Sequence, residues 1–317
     1  TGINKGILII EPEGYSPVAL KTYSSIGPVW LSGIDQFDPH EVGCLVVRLA
    51  HYVDGDFLEP FPNLLALASP TTGVTHLDMQ ACDGKGVRVF TLRDCMPKLE
   101  KITSTAEHAL CLMLSLVRRL PQAHSSTVER GEWNRDDFCS RQLSSLRLGI
   151  VGLGRIGRWM ARYAKTIGME VAAHDPYVAP EAFESEGVSS LALEELCRRS
   201  DVLTIHADLR SDNVSLIDSD LLDLLPEDAY LINTSRGELM DEKAVAERVR
   251  DAKLAGVAVD VLRAEHESLC LADSPLMSAA RDGFNVLVTP HIGGCTTDAM
   301  RQTEDLLAEV VAEALSS

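Results

Sequence analysis

From Leu146 onward the chain alternates short apolar runs with stretches of helical length. No other feature restricts the fold as strongly. The runs are Leu148-Gly149-Ile150-Val151, Glu170-Val171-Ala172-Ala173, Val202-Leu203-Thr204-Ile205, Tyr230-Leu231-Ile232, Gly256-Val257-Ala258-Val259 and Val286-Leu287-Val288. Amphipathic segments such as Arg155 to Ile167 and Asp241 to Arg250 separate most of them. Continuous apolar runs of this length suit strands covered on both faces. Strand and helix in alternation predict a doubly wound parallel sheet of the α/β class. Ahead of it, Ile7-Leu8-Ile9-Ile10, Cys44-Leu45-Val46-Val47 and Leu64-Leu65-Ala66-Leu67-Ala68 predict a smaller α/β unit over residues 1 to about 102. At 317 residues the chain has room for two such units.

Between them the pattern predicts a long helix from Thr105 to Leu120. Ser104 and Glu107 stand at capping-box spacing, and Pro121 stops it. Its apolar residues spread around most of the circumference, which predicts burial between domains or in a subunit interface. The alternative is that one subunit consumes the whole surface. Thr297 to Leu315 predicts one more amphipathic helix.

Gly152-Leu153-Gly154-Arg155-Ile156-Gly157 fits GxGxxG, a pattern that is weak by itself. Here a strand precedes it and a helix begins inside it, and that context supplies a mechanism. Gly152 permits the tight turn, Gly154 lets backbone approach a pyrophosphate, and Gly157 lets helix and strand pack closely. The helix amino end, at Arg155 and Ile156, offers N–H groups and positive dipole to phosphates. Asp175 ends the next strand, at the distance of an acid that accepts from the adenosine ribose 2′-hydroxyl. It would repel a 2′-phosphate, and no Arg or Lys follows it closely. The predicted cofactor is therefore NAD rather than NADP.

Arg236, Glu265 and His291 each follow a predicted strand. Ligands in open α/β sheets bind beyond the carboxyl ends of the strands, so all three are expected at one crevice. Singly each has an ordinary alternative: a surface ion pair, a solvated carboxylate beside Glu267, a loop histidine beside Pro290.

The chain resembles the D-isomer-specific 2-hydroxyacid dehydrogenases, and among them the phosphoglycerate-dehydrogenase-like enzymes. The resemblance lies in TTGVTHLD at 71–78, STAEH at 104–108, LGIVGLGRIGR at 148–158, INTSRGELMDEKAV at 232–245, GVAVDVLRAE at 256–265 and TPHIGG at 289–294. It implies reversible hydride transfer between NAD and a D-2-hydroxyacid. Arg236 would bind the substrate carboxylate, His291 would be the acid/base, and Glu265 would hydrogen-bond the far side of the imidazole. That division agrees with the chemistry. Hydride leaves C2 only as the hydroxyl proton leaves, a carboxylate steadies imidazolium, and the guanidinium fork matches a carboxylate. The resemblance also implies substrate contacts from the Thr72-Gly73-Val74 backbone and cofactor contacts from Thr105, His206, Thr234, Ser235, Asp260 and Gly293. Arg48 and Arg93 are candidates for a second anionic group on the substrate, or else surface cations.

The same resemblance implies a discontinuous architecture: residues 1–102 and 293–317 as a flavodoxin-like substrate domain, and 103–292 as a Rossmann NAD domain. It also implies a homodimer, and because the sequence stops shortly after its last helix, the regulatory domain of some phosphoglycerate dehydrogenases is not expected. NAD-sensing corepressors, which are interaction proteins, resemble the same fold and are the alternative function. Two departures stand out. The stretch usually reading HxPLTxxT is HADLRSDN here, at 206–213, and His266 replaces a proline after Glu265.

Charge bears on partners. With 29 Lys+Arg against 47 Asp+Glu the net is −18, which disfavours nucleic acid and anionic membrane as partners. It leaves room for a small anionic substrate in a local basic pocket. The eight cysteines are scattered, without zinc spacing, which predicts reduced thiols in a cytoplasmic protein and no metal. No apolar run is long enough to span a membrane, and no secretory signal opens the chain.

Overall fold

The computed structural model describes residues 5–263, 265 and 271–316. They form two compact units, one of residues 1–102 with 295–317 and one of residues 103–294. The chain thus crosses back two residues beyond the boundary expected from sequence.

The first unit holds β1 (Gly6–Ile9), β2 (Val29–Leu31), β3 (Val42–Val46), β4 (Ala66–Ala68) and β5 (Arg88–Phe90). They form one parallel sheet in the order β2-β1-β3-β4-β5, the flavodoxin-like arrangement. The helix Thr297–Ser316 returns to this sheet. Its Ala299, Leu307, Ala308 and Val311 share a core with Ile7, Ile9, Ala19, Tyr23 and Val46.

The second unit holds β6 (Arg147–Val151), β7 (Glu170–His174), β8 (Ser189–Ser190), β9 (Val202–Ile205), β10 (Tyr230–Asn233), β11 (Gly256–Val259) and β12 (Val286–Val288). Every pairing is parallel, in the order β12-β11-β10-β9-β6-β7-β8. The order reverses between β6 and β9, the switch point of a Rossmann sheet. Register then does the positioning. Val151 pairs with His174 and Ile205, Asn233 with Ile205 and Val259, and Val259 with Val288. The next residue on each strand therefore falls on one line along the carboxyl edge: Gly152, Asp175, His206, Thr234, Asp260 and Thr289.

The predicted long helix is Ser104–Val117, three residues short of its expected end, and a second helix follows at Leu120–Arg130. Arg119 takes a left-handed conformation at φ 47°, which turns the chain. Pro121 opens the second helix rather than ending the first, because a first-turn residue needs no N–H partner. The cap position is Thr103, not Ser104; its hydroxyl donates to Glu107, and Ser104 is buried. The first helix is not buried all round. Ala106, Ala109, Leu112, Met113, Leu116 and Val117 pack into its own unit's core, while Leu114 is exposed. Among the described residues no helix is long and apolar enough to cross a membrane.

Candidate active site

Three glycines shape the turn after β6. Gly152 has φ 94°, and a Cβ there would lie 2.7 Å from the backbone of His206 and Ala207. The loops after β6 and β9 touch at the switch point. A Cβ on Gly157 would lie 2.1 Å from the Gly152 carbonyl oxygen, so helix Arg155–Ile167 can seat only on a glycine. Gly154 is different: nothing lies within 4 Å of its Cβ position. Gly154 is also the N-cap of that helix and provides no side-chain cap, so the helix amino end opens on a residue without a side chain. That is a fit for pyrophosphate.

Asp175 is held by backbone. Leu153 N–H donates to Oδ2 at 2.8 Å and Tyr177 N–H to Oδ1 at 3.0 Å. Each oxygen keeps a lone pair, as a ribose acceptor requires. On the other side of the switch point, His206 is half-buried, and the desolvation of its ring pushes the imidazole down to about 3, so the ring is neutral. Its Nε2 lies 2.8 Å from Thr204 Oγ1, while among the described residues neither Nδ1 nor the buried hydroxyl of Thr234 has a partner. Two orphaned polar atoms on the carboxyl edge are what a nucleotide contact would satisfy. The residues present therefore fit NAD.

Beyond β10 the chain turns through Thr234-Ser235-Arg236, and the buried Asn233 braces that turn. Its Oδ1 accepts from Ser235 N–H at 3.0 Å and its Nδ2 donates to the Arg236 carbonyl at 2.8 Å. Ser235 Oγ donates to the Ile205 carbonyl at 2.9 Å, tying the loops after β9 and β10 together. Arg236 is half-buried, and its Nη1 donates to the Ser235 carbonyl at 2.6 Å. Sequence reasoning passed over Asn233, although it sits inside the INTSRG stretch.

The second centre is Asp260, only 1% exposed, on the residue after β11. Oδ1 accepts from Thr289 Oγ1 at 2.6 Å and Ile292 N–H at 2.9 Å, and lies 3.2 Å from His108 Nε2. Oδ2 accepts from Gly293 N–H at 2.7 Å. Burial by itself pushes the Asp260 carboxyl up. The donors from His108, Thr289, Ile292 and Gly293 outweigh it and hold the group below the usual carboxylate range. Thr105 lies against Gly293, where a Cβ would meet Thr105 Cγ2 at 3.3 Å. Asp260 therefore acts as the backbone clamp for 289–293, a role the sequence reading did not assign to it. His108 and Thr289 are clamp members missed altogether.

The clamp bears directly on His291. This residue has φ 54°, unusual outside glycine, and its N–H donates to the Asp260 carbonyl at 2.8 Å. Its Nδ1 lies 3.1 Å from both Glu265 oxygens. The imidazole is thus oriented from both sides, backbone and ring. His266 and Cys270 lie outside the described residues.

The remaining candidates sit in the first unit. Thr72, Gly73 and Val74 form the loop after β4. Thr71 Oγ1 donates to the Gly73 carbonyl at 2.8 Å, and Arg93 Nε donates to the Thr72 carbonyl at 2.9 Å. Among the described residues none accepts from the N–H groups of Thr72, Gly73 and Val74. Arg48 is engaged elsewhere. Its Nε donates to Glu304 Oε1 at 2.9 Å, Nη2 donates to the same oxygen, and Nη1 donates to the Glu13 carbonyl at 3.0 Å. Buried Glu304 also accepts from Ser16 N–H at 2.7 Å. Arg48 thus holds the last helix to its sheet, and its fork is committed within the unit. Burial pushes the Cys44 and Cys197 thiols up to about 12, so neither is a nucleophile near neutrality.

Comparison with known proteins adds independent findings. D-3-phosphoglycerate dehydrogenase of Methanocaldococcus jannaschii is 34% identical over 272 residues, covering 86% of this chain and 49% of that protein. The Bacillus subtilis protein of the same name is 33% identical over 273 residues, with the same coverages. This chain spans about half the length of these curated relatives. Among solved structures, D-lactate dehydrogenase from Aquifex aeolicus complexed with NAD and lactic acid superposes with a TM-score of 0.81. It is 23% identical and covers 98% of this chain and 96% of that one, which speaks for the fold alone. The family model described as D-isomer specific 2-hydroxyacid dehydrogenase, NAD binding domain, matches residues 110–293, more than half of the chain. With that match spanning the glycine loop, Asp175, the Asp260 clamp and the His291–Glu265 pair, the chain belongs to the D-isomer-specific 2-hydroxyacid dehydrogenases and carries their NAD-binding domain.

Proposed function

We propose that this protein reversibly transfers a hydride between NAD(H) and C2 of a D-2-hydroxyacid or its 2-ketoacid. The observation that carries the reading is the His291–Glu265 pair held by the Asp260 clamp within the NAD-binding domain. NAD, when bound, supplies the hydride acceptor. The chain itself supplies the proton chemistry. Glu265 occupies Nδ1, so Nε2 is the atom that takes the C2 hydroxyl proton on oxidation and returns it on reduction. Glu265 meets Nδ1 with both oxygens and fixes the orientation of the ring. Arg236 binds the substrate carboxylate and polarises the C2 oxygen through its fork. In the first unit, the N–H groups of Thr72, Gly73 and Val74 are donors suited to an anionic group, and Arg93, bonded to that loop, is a cation beside them.

The names of the relatives make phosphoglycerate and lactate the first acids to try. Purified protein with NADH and a panel of 2-ketoacids, followed by NADH absorbance, tests the reading. Absence of turnover with every acid, from folded protein, would refute it. The reading extends to a homodimer in the cytoplasm. Leu114, Leu120, Val128 and Trp133 are exposed along one stretch of chain in the NAD-binding domain, an apolar surface that a second copy would cover. Sedimentation measures that state, and a monomer at micromolar concentration would refute it.

A further inference from the structure

The divergent 206–213 stretch delivers a cation to the nucleotide site. Where the family pattern has its first threonine, this chain has Arg210. Asn213, nearly buried, braces the loop. Its Oδ1 accepts from Arg210 N–H at 2.7 Å and its Nδ2 donates to the Asp208 carbonyl at 2.8 Å. So held, Arg210 lays its guanidinium over Tyr177, with Cζ 3.9 Å from the ring centroid, and donates to the Tyr177 hydroxyl. Its Nε donates to Asp212 at 3.1 Å. Tyr177 is the residue whose N–H holds Asp175 Oδ1, and Leu153 of the glycine loop holds Oδ2. A continuous set of contacts therefore runs from the phosphate-side turn through Asp175 and Tyr177 to Arg210.

We propose that Arg210, seated on Tyr177, is a specificity-determining residue that sets nucleotide preference jointly with Asp175. The inference rests on the NAD reading of this site and deepens it. Asp175 opposes a 2′-phosphate by direct repulsion, being fixed in place by two backbone donors. Arg210 supplies the opposite influence, since a guanidinium matches phosphate as a two-pronged donor. Stacking on the phenol restrains its plane, and among the described residues none accepts from Nη1, which leaves that group for an anion. Asp212 offsets part of the charge, but at 67% exposure it is well solvated and screened. The sequence places no Arg or Lys close after Asp175; the fold brings one there from the neighbouring loop across the switch point. The chain thus retains a latent NADP-binding donor that Asp175 holds in check.

Binding of NADH and NADPH is followed by their fluorescence on the full chain, in the wild type, Asp175→Ala, Arg210→Ala and the double variant. The wild type should bind NADH more tightly. Asp175→Ala should shift the affinity ratio toward NADPH by roughly tenfold or more, as a charge-assisted bond replaces a repulsion. Adding Arg210→Ala should abolish most of that shift, and Arg210→Lys should retain part of it. An equal shift with and without Arg210 would overturn the proposal while leaving NAD binding intact. If no protein binds either nucleotide, the NAD reading falls and this proposal with it. Should Asp175→Ala fail to fold, Arg210→Ala alone decides. Its loss must be greater for NADPH than for NADH, and equal losses overturn the proposal.

Discussion

Replacing Asp260 by Asn should unlock the segment that carries His291. The amide matches the carboxylate in shape, so the perturbation is one of hydrogen-bond polarity. At present Oδ1 serves Thr289 and Ile292 and Oδ2 serves Gly293. If the amide oxygen keeps Thr289 and Ile292, its NH2 faces the buried Gly293 N–H, donor against donor. Stranding that donor costs about 1–3 kcal/mol, and turning the two remaining bonds from charge-assisted to neutral costs roughly 1 kcal/mol each. Burying an amide in place of a carboxylate returns part of this. The net destabilisation should be about 2–4 kcal/mol. Sign follows from the carboxyl being held low in the fold. Its stabilisation is complete above the unfolded value of about 3.9 and is lost as pH falls through the folded one. The gap in Tm between wild type and variant should therefore be constant near neutrality and close in acid. Hydrogen exchange read by mass spectrometry should accelerate across 289–294, and turnover should fall as His291 loses its fixed backbone. Equal Tm values and unchanged exchange in that segment would refute the clamp.

Four other outcomes follow from the geometry. Glu265→Gln keeps the shape beside His291 but removes the charge; kcat/KM for hydroxyacid oxidation should fall roughly tenfold or more, and unchanged turnover removes Glu265 from that role. Gly157→Ala puts a methyl 2.1 Å from a backbone oxygen and should cost about 1–3 kcal/mol in thermal unfolding. Gly154→Ala meets nothing in the protein, so stability should hold while NADH affinity falls; unchanged affinity means that backbone does not meet the pyrophosphate. Arg48→Met strands buried Glu304 and should lower stability by about 3–5 kcal/mol, whereas a normal melt with a raised substrate KM would return Arg48 to the substrate site.

The central strands were legible because burial on both faces writes them as unbroken apolar runs. β3, β4, β6, β9, β10 and β11 all show this, and each is buried throughout except for Arg147 at the start of β6. The strands that sequence reading missed are β2, β5 and β8, which stand at three sheet edges; β2 and β5 are only partly covered and β8 is exposed. An edge strand has one neighbour and less need of apolar side chains, so its signal is weak. The end of the helix before Arg119 was misplaced by three residues for another reason: the turn is made by a left-handed φ on a non-glycine residue, which its type does not announce.

Site residues divide along a similar line. In a parallel sheet whose strand ends are in register, any polar residue just past an apolar run lands on the carboxyl edge. This is why Asp175, His206, Thr234 and Asp260 could be named from spacing, or from motifs that preserve spacing. Contacts between loops carry no such spacing. Arg48, following β3, read equally as a cleft residue or a surface cation, yet its partner Glu304 is supplied by the last helix, from the far end of the chain. Arg210 shows the converse. Read along the chain it is one charge in a divergent polar stretch, and only the adjacency of the loops after β7 and β9, on either side of β6, sets it against Tyr177. Nucleotide preference is thus a property of the switch point, where charges from loops distant in sequence meet, and not of the acid after the second strand alone.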